Sequence, residues 1–206
     1  MTGLFITFEG GDGSGKTTQI NLLATWLEAQ GQTVVLTREP GGTDLGVELR
    51  NIVLHRKGFI APRAEALLYA ADRSHHIRSL VRPALERGEV VVQDRYLDSS
   101  VAYQGAGRVL DPEEVRELSL WATERLMPHL TVLLDVPASV AKARQAQTDR
   151  EYDRLEAEAE DFHTRVRESY LSLAAAEPER FLVVNGELPI EEIHQSIITK
   201  VSDLLG

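Results

Sequence analysis

The sequence contains no cysteine. This absence excludes disulfide bonds, thiol nucleophiles and zinc sites built on cysteine. No apolar run approaches the roughly 20 residues that a membrane-spanning helix needs. The first residues also lack a basic region followed by a long apolar stretch, which a secretory signal would require. We therefore expect a cytoplasmic protein without a membrane partner.

Positive charge is also scarce, with 22 Lys and Arg against 32 Asp and Glu and a formal net charge of −10. This balance works against nonspecific binding to nucleic acid or to anionic lipid. We expect small-molecule partners, and any phosphate-binding arginines must act locally. The length of 206 residues, 43% of them apolar, fits one α/β domain that spans the whole chain, 1–206.

A glycine-rich run lies between a strand-like segment, Leu4–Phe8, and a helix-forming segment that starts at Gln19. The run matches G-x-x-x-x-G-K-[ST] in the strand–loop–helix context that a phosphate-binding loop requires. Its glycines let backbone N–H groups surround phosphate oxygens, and the helix N-terminus adds positive potential. The pattern predicts an ATP site, the alternative being a chance glycine-rich turn. The predicted ATP-binding residues are Gly10, Gly11, Asp12, Gly13, Ser14, Gly15, Lys16, Thr17 and Thr18.

Two residues are predicted to hold Mg²⁺ beside this loop. The Thr17 hydroxyl follows Lys16, the residue expected to bridge the β- and γ-phosphates. Asp94 ends the apolar run that starts at Val90, which places its carboxylate at the carboxyl edge of the sheet, where α/β proteins bind ligands. The alternative for Asp94 is a helix cap.

Five short β-rich runs alternate with longer helical patterns. Continuous apolar strands separated by helices are typical of a parallel sheet that is covered on both faces. The helical patterns cover Gln19–Gln30, Ala64–Val81 with a stop before Pro83, and a last segment with an apolar face from Ile190 to Leu205. The strand-like runs are Leu4–Phe8, Thr33–Thr37, Val90–Val92, Leu130–Leu134 and Phe181–Val184.

Arginine is the side chain best suited to a site where two polyanions meet, because guanidinium is always charged and binds phosphate bidentately. Transfer of a phosphoryl group to an acceptor phosphate creates such a site. Isolated arginines more often lie on the surface, so only those within coherent motifs count. The candidates are Arg38, Arg50, Arg73, Arg95, Arg150 and Arg154.

Four further motifs follow the phosphate loop in order along the chain. They are R-E-P-G-G-T at 38–43, Y-A-A-D-R at 69–73, D-R-Y-L-D-S-S-V-A-Y-Q-G at 94–105 and D-R-L-E at 153–156. Together with residues 9–18, this set resembles the bacterial thymidylate kinase family over nearly the whole chain. The second and the fourth of these five motifs separate that family from other nucleoside monophosphate kinases.

The resemblance implies transfer of the ATP γ-phosphoryl group to dTMP with Mg²⁺, usually in a homodimer. It also implies a P-loop NTPase fold with a five-stranded parallel sheet in the order 2-3-1-4-5. By the same resemblance, Asp12 addresses the 3′-hydroxyl of the acceptor sugar and Tyr103 lies beside its 2′ carbon. Arg50 and Arg95 grip the dTMP phosphate, and Glu39 organises the phosphate and metal region.

The same resemblance assigns the thymine-binding end. Tyr69 stacks on the base, Arg73 reads it, and Ser100 with Gln104 lies at its polar edge, with Ser99 in the same motif. Tyr69 and Arg73 are four residues apart on a predicted helix, so both project from one face. Taken alone, Tyr69 also fits a core aromatic, and Tyr103 and Gln104 also fit turn residues.

An acidic, arginine-bearing segment at about 144–156 fits a lid that closes over the phosphates; a solvated helix surface is the alternative. The family often shows R-x-R-G-x-x-D-R here, whereas this chain lacks the glycine and displaces Arg150. Arg154 aligns with this pattern. The catalytic lid arginine is therefore predicted to be either Arg150 or Arg154. The neighbouring His75 and His76 are predicted to be exposed helix residues. The predicted catalytic set is Asp12, Lys16, Arg95, Arg150 and Arg154.

Two other functions stay open on the sequence. A related kinase for another mononucleotide differs only in how it reads the base. A regulatory P-loop switch would bind nucleotide to recruit a partner, but the N-K-x-D motif of GTP-binding switches and the L-S-G-G-Q signature of ABC proteins are both absent. Acceptor-dependent release of ADP separates these possibilities.

Overall fold

The computed structural model describes residues 3–108, 110–146 and 153–206, which are built around a five-stranded sheet. Every neighbouring pair of strands is parallel, and the order is β2-β3-β1-β4-β5. This confirms the α/β class and the strand order that the resemblance implied. The strands are β1 Leu4–Glu9, β2 Val34–Arg38, β3 Val90–Asp94, β4 Leu130–Asp135 and β5 Phe181–Asn185.

Each strand ends in a polar residue that the apolar pattern left out or placed at its limit. Phe8, the residue before the polar end Glu9, pairs with Asp94, and Asp94 pairs with Arg38 on its other side. Polar groups from three adjacent strands therefore meet at the carboxyl edge of the sheet. In a parallel α/β fold this edge is where ligands bind.

Helices cover both faces of the sheet. One face packs on Leu23 and Ile197, and the other on Val81 and Leu97, in separate buried clusters. None of the helices within the described ranges is long and apolar enough to cross a bilayer. The α-helices are α1 Lys16–Ala29, α2 Asp44–Arg50, α3 Pro62–His76, α4 Arg82–Glu86, α5 Leu97–Ser100, α6 Pro112–Ala122, α7 Ala138–Gln145, α8 Glu160–Ala176 and α9 Ile190–Leu205, with π-helical segments at Asn51–His55, Ile77–Val81 and Val101–Gly107.

Two predicted helix boundaries are wrong. Helix α1 begins at Lys16 instead of Gln19, because Gly15 caps it with a left-handed φ of 99° and the following residues turn at once. The helix predicted to stop before Pro83 continues through that residue. The π-helical turn at Ile77–Val81, in which the Arg82 N–H bonds to the Ile77 carbonyl, precedes Pro83 and accommodates a residue that lacks an N–H donor.

The predicted face of α9 is confirmed at its centre. Ile193, Ile197 and Val201 are buried against α1 and the sheet. Ile190 and Leu204, near the two helix ends, are exposed. The apolar spacing therefore identified the contact face but extended it too far.

Candidate active site

The phosphate-binding loop depends on glycine at two positions where a side chain cannot fit. Gly10 has a φ of 131°, and a Cβ there would lie 2.5 Å from the Leu134 carbonyl oxygen. Gly13 has a φ of 83°, and its Cβ would lie 2.6 Å from the Ala141 carbonyl oxygen. The backbones of strand β4 and helix α7 therefore lie directly against the loop and fix its path.

Lys16 is buried and folds back onto this loop. Its Nζ donates to the carbonyl oxygens of Gly10 and Gly11, both at 3.0 Å. The pKa of Lys16 is lowered, first by burial and then by the nearby Arg95. The charges of Asp94 and Asp12 offset this only in part. The ammonium is thus held at the mouth of the loop by groups that a phosphate oxygen can replace.

A cavity opens over the loop, and Thr17 and Asp94 line it together with Lys16. The Asp94 Oδ1 atom is buried and has no hydrogen-bond partner among the described residues. Such an atom points to a missing ligand. A hydroxyl and a carboxylate suit Mg²⁺, which usually takes one or two protein oxygens and completes its shell with phosphates and water. Within the described ranges, no three His, Asp or Glu side chains converge on a fuller metal site.

A second cavity lies beside the first. All ten residues predicted to bind the acceptor nucleotide line it, although they come from five separate parts of the chain. They are Asp12, Glu39, Arg50, Tyr69, Arg73, Arg95, Ser99, Ser100, Tyr103 and Gln104. Their individual roles stay predictions.

Arg95 lies where the two cavities meet. Its Nη2 donates to Asp12 Oδ1 at 2.7 Å and to the Tyr103 hydroxyl at 3.2 Å. Its Nη1 donates to Ser99 Oγ at 3.2 Å and to the Tyr170 hydroxyl at 3.3 Å. Burial raises the pKa of Asp12, but the charges of Arg95 and Lys16 outweigh it and hold that pKa well below its usual range. Asp12 is therefore a carboxylate at neutral pH.

Arg73 forms the floor of the second cavity and is almost fully enclosed. Its Nε donates to Glu39 Oε2 at 2.8 Å, its Nη1 to Ser119 Oγ at 3.0 Å and its Nη2 to Ser100 Oγ at 3.0 Å. These bonds fix the guanidinium plane. Tyr69, one helical turn earlier, also lines the cavity, as the four-residue spacing predicted.

The prediction that His76 is exposed is wrong, whereas His75 is exposed as expected. The ring of His76 is completely buried, with Nδ1 2.9 Å from Glu39 Oε1 and Nε2 2.7 Å from Thr37 Oγ1. Neighbouring residues on a helix point about 100° apart, so one of the pair faces the core. His76 supports Glu39 from behind.

The described part of the predicted lid approaches both cavities. Asp153 lines both, and Leu155 lines the second. Arg154 lines neither, because its Nε donates to the Val53 carbonyl at 2.9 Å and its Nη2 to Glu65. Arg150, the other predicted lid arginine, lies outside the described residues. Arg144, which was not predicted, lines the first cavity.

Sequence reasoning missed Glu9 and Tyr170. Glu9 stood within the first motif but carried no assigned role, since it also ended the predicted strand. Its Oε2 accepts from the Tyr170 hydroxyl at 2.8 Å. Tyr170 lies 161 residues away on α8, and no local pattern around it indicates a site.

Comparison with known proteins agrees with this geometry. The family model for thymidylate kinase matches residues 8–197. A thymidylate kinase of Clavibacter michiganensis subsp. michiganensis is 64% identical over 206 residues, covering 100% of this chain and 98% of the relative. That of Leifsonia xyli subsp. xyli is 69% identical over 195 residues, covering 95% and 92%.

A solved structure is similar as well. The crystal structure of thymidylate kinase from Ehrlichia chaffeensis matches with a TM-score of 0.79 and 32% sequence identity, covering 98% of this chain and 99% of that one. Sequence and structure thus agree over nearly the full length of the chain. The chain belongs to the thymidylate kinase family.

Proposed function

We propose that this protein transfers the γ-phosphoryl group of ATP to dTMP, giving dTDP and ADP. The observation that carries the proposal is the meeting of two cavities, one over the phosphate loop and one lined by all the residues predicted to bind the acceptor. Five residues line both cavities, so donor and acceptor phosphates can approach each other there. These residues are Asp12, Glu39, Arg50, Arg95 and Asp153.

On the donor side, the backbone N–H groups of residues 10–18 bind the ATP phosphates. Lys16 leaves the loop carbonyls and contacts the β- and γ-phosphates. Thr17 and Asp94 hold Mg²⁺, which supplies charge neutralisation on the phosphates. Because the loop is fixed by contacts at Gly10 and Gly13, the phosphates meet a preorganised surface.

On the acceptor side, Arg50 and Arg95 bind the dTMP phosphate and point one of its oxygens at the γ-phosphorus. That oxygen forms the new P–O bond while the bond from the γ-phosphorus to the β,γ-bridging oxygen breaks, and ADP leaves with the bond electrons. Asp12 accepts from the sugar 3′-hydroxyl. Tyr103 closes the space beside the 2′ carbon, and Glu39 keeps the phosphate region ordered.

Four residues define the base-binding end of the acceptor cavity. Tyr69 stacks on thymine, Arg73 donates to it, and Ser100 and Gln104 contact its polar edge. The support for this assignment is that Arg73 and Ser100 are bonded to each other at 3.0 Å and Gln104 is held by Glu65 at 2.9 Å. The donors and acceptors therefore have fixed directions.

The chain works as one domain, 1–206, with residues 144–156 as a lid. Closure of the lid excludes water from the transferring group. Arg150 and Arg154 are its two candidate catalytic arginines, and the partners of Arg154 favour Arg150 for contact with the phosphoryl group.

We also propose that the protein is a homodimer in the cytoplasm. Helices α3 and α6 expose Leu67 and Trp121, with 57% and 79% of their surfaces accessible. Both residues line one shallow groove between these helices. Two copies that join through this face would bury these apolar side chains.

A panel of monophosphates with ATP and Mg²⁺ tests the function. We expect dTMP-dependent formation of dTDP. The variant Lys16→Ala should lose on the order of 100-fold or more in turnover, as when one preorganised electrostatic contact is deleted. Lys200→Ala, on α9, serves as the matched control. Turnover of another monophosphate in preference to dTMP, or slow ATP hydrolysis that no acceptor stimulates, would contradict the proposal.

A further inference from the structure

Glu9 is a fully buried carboxylate whose hydrogen-bonding capacity is completely used. Its Oε1 accepts from the backbone N–H groups of Tyr96 at 2.8 Å and Ser99 at 3.3 Å. Its Oε2 accepts from the Ser99 hydroxyl at 2.6 Å and the Tyr170 hydroxyl at 2.8 Å. A carboxylate offers about four acceptor positions, and all four are filled here.

The two hydroxyls that donate to Glu9 are the same ones that accept from Arg95 Nη1. A hydroxyl carries one hydrogen. The two hydroxyl oxygens also lie 2.9 Å from each other, so each hydrogen has both Glu9 and the other hydroxyl within reach. The carboxylate is the stronger acceptor and draws both hydrogens, which leaves the oxygen lone pairs to face Arg95. The carboxylate thereby sets the direction of both hydrogen bonds, although Glu9 lines neither the donor cavity nor the acceptor cavity.

Glu9 also supports the backbone at Arg95. Arg95 has a left-handed φ of 66°, which is uncommon and costly for a residue other than glycine. The Arg95 N–H donates to the Phe8 carbonyl at 2.9 Å, and the next N–H, of Tyr96, donates to Glu9. Residues 8 and 9 of β1 thus hold both peptide groups that flank this conformation.

We propose that Glu9 is a positioning residue that holds Arg95 in the geometry required to bind the dTMP phosphate, acting through the hydroxyls of Ser99 and Tyr170. The inference rests on the proposed function, because it assumes that Arg95 receives that phosphate. Glu9 itself touches no substrate. Its contribution is to keep two neutral hydroxyls as acceptors for a guanidinium.

The variant Glu9→Gln has nearly the same shape and reverses this arrangement. If the amide nitrogen takes the place of Oε2, it donates to the hydroxyls, and their hydrogens turn toward Arg95. If it takes the place of Oε1, it faces the N–H groups of Tyr96 and Ser99. Either orientation opposes donors to donors, so Arg95 loses its acceptors or the backbone at residue 95 relaxes.

The test measures binding of dTMP and of ATP separately, by isothermal titration calorimetry at about pH 8.5. Glu9→Gln should weaken dTMP binding roughly 10- to 150-fold, the range for losing hydrogen bonds to a charged group. Binding of ATP should change less than about 2-fold. The matched control Glu177→Gln neutralises a partly buried carboxylate that pairs with Arg116 and Arg180 and lines neither cavity, and it should leave dTMP affinity unchanged.

A double-mutant cycle isolates the route. In a Ser99→Ala, Tyr170→Phe background, adding Glu9→Gln should cause no further selective loss of dTMP affinity. If Glu9→Gln alone does not fold, the Ser99→Ala, Tyr170→Phe protein is still tested, and it should show the selective loss by itself. Undiminished dTMP affinity in either folded variant, or equal losses for dTMP and ATP, overturns the inference. Failure of the wild-type protein to bind or phosphorylate dTMP overturns the proposed function instead.

Discussion

Glu9 shows how strongly burial acts on a single charge in this protein. Burial and the nearby Asp98 raise the pKa of Glu9 from 4.5 to about 7. Arg95 and the hydroxyls of Ser99 and Tyr170 lower it, but they do not compensate fully. The carboxylate that orders Arg95 is therefore maintained against its own desolvation.

This pKa predicts how stability depends on pH. The folded protein binds the Glu9 proton more tightly than the unfolded chain, so stability is greatest below about pH 4.5 for this group and falls as pH rises to about 7. The loss amounts to roughly 3 kcal/mol for a shift of this size. We expect the difference in free energy of unfolding between wild type and Glu9→Gln to change by that order across this window, as measured by urea denaturation.

We compare the free energies of unfolding of wild type and Glu9→Gln because the subtraction cancels the contributions of other titrating groups. One such group is Asp72, whose pKa burial raises to about 6. Parallel stability curves from about pH 4.5 to about pH 7.5 would show that the Glu9 pKa is not raised by folding.

Sequence motifs identified the residues whose side chains line the acceptor cavity, including Tyr69 and Gln104. They did not identify the residues behind them. Glu9, His76 and Tyr170 act on other side chains, and their partners lie as far as 161 residues away in sequence. Nothing in the local pattern distinguishes a buried polar support from an exposed helix residue.

At the scale of elements, Arg154 connects the proposed lid segment to helix α3 through Glu65. Arg154 is anchored by hydrogen bonds to the Val53 carbonyl and to the Glu65 carboxylate. Glu65 is completely buried, and its carboxylate also accepts hydrogen bonds from the side chains of Gln104 and Arg108. The anchor therefore connects the start of the described lid residues to helix α3 and to the base-binding end.

The two lid arginines should consequently differ in their kinetic effects. Arg150→Ala should lower kcat much more than it raises KM for dTMP, because a contact made only in the transition state is lost. Arg154→Ala should mainly raise KM for dTMP, because the segment bearing Asp153 and Leu155 loses its anchor. Steady-state kinetics with dTMP varied at saturating ATP distinguish the two.

The reverse pattern, in which only Arg154→Ala depresses kcat, would move the catalytic role to Arg154. Arg144→Ala gives a useful third comparison, since Arg144 lines the phosphate-loop cavity while its Nη2 donates to the Gly186 carbonyl at 3.0 Å.

Element types were predictable and their limits were less so. Buried parallel strands have continuous apolar runs, and all five runs were found, yet polar ends such as Glu9 and Asn185 continue the hydrogen-bonded ladder without an apolar signal. Proline usually marks a helix end. At Pro83 that rule failed, because a widened turn upstream lets the helix continue, and no sequence feature announces such a turn.

At the scale of the whole molecule, the exposed apolar face of α3 and α6 predicts association. Trp121→Glu would place a charge in the proposed interface, which is costly when buried without a partner. We expect the dimer dissociation constant to rise on the order of 10-fold or more. Size-exclusion chromatography with light scattering should then show the mass falling from that of a dimer toward that of a single chain, 22.9 kDa.

Phe59→Glu is the matched control, since Phe59 is an aromatic residue that is 85% exposed outside this face. It should leave the dimer intact. A wild-type protein that is monomeric at high concentration, or a Trp121→Glu variant with unchanged mass, would contradict the proposed interface.

The shared wall between the two cavities has a consequence for redesign. Arg95 and Asp12 line both cavities, so a substitution at either alters the wall of the donor site and of the acceptor site. Tyr69, Ser100 and Gln104 line the acceptor cavity alone. The proposed base-binding positions can therefore be redesigned without changing the lining of the phosphate-loop cavity, whereas any change at Arg95 or Asp12 alters both cavities at once.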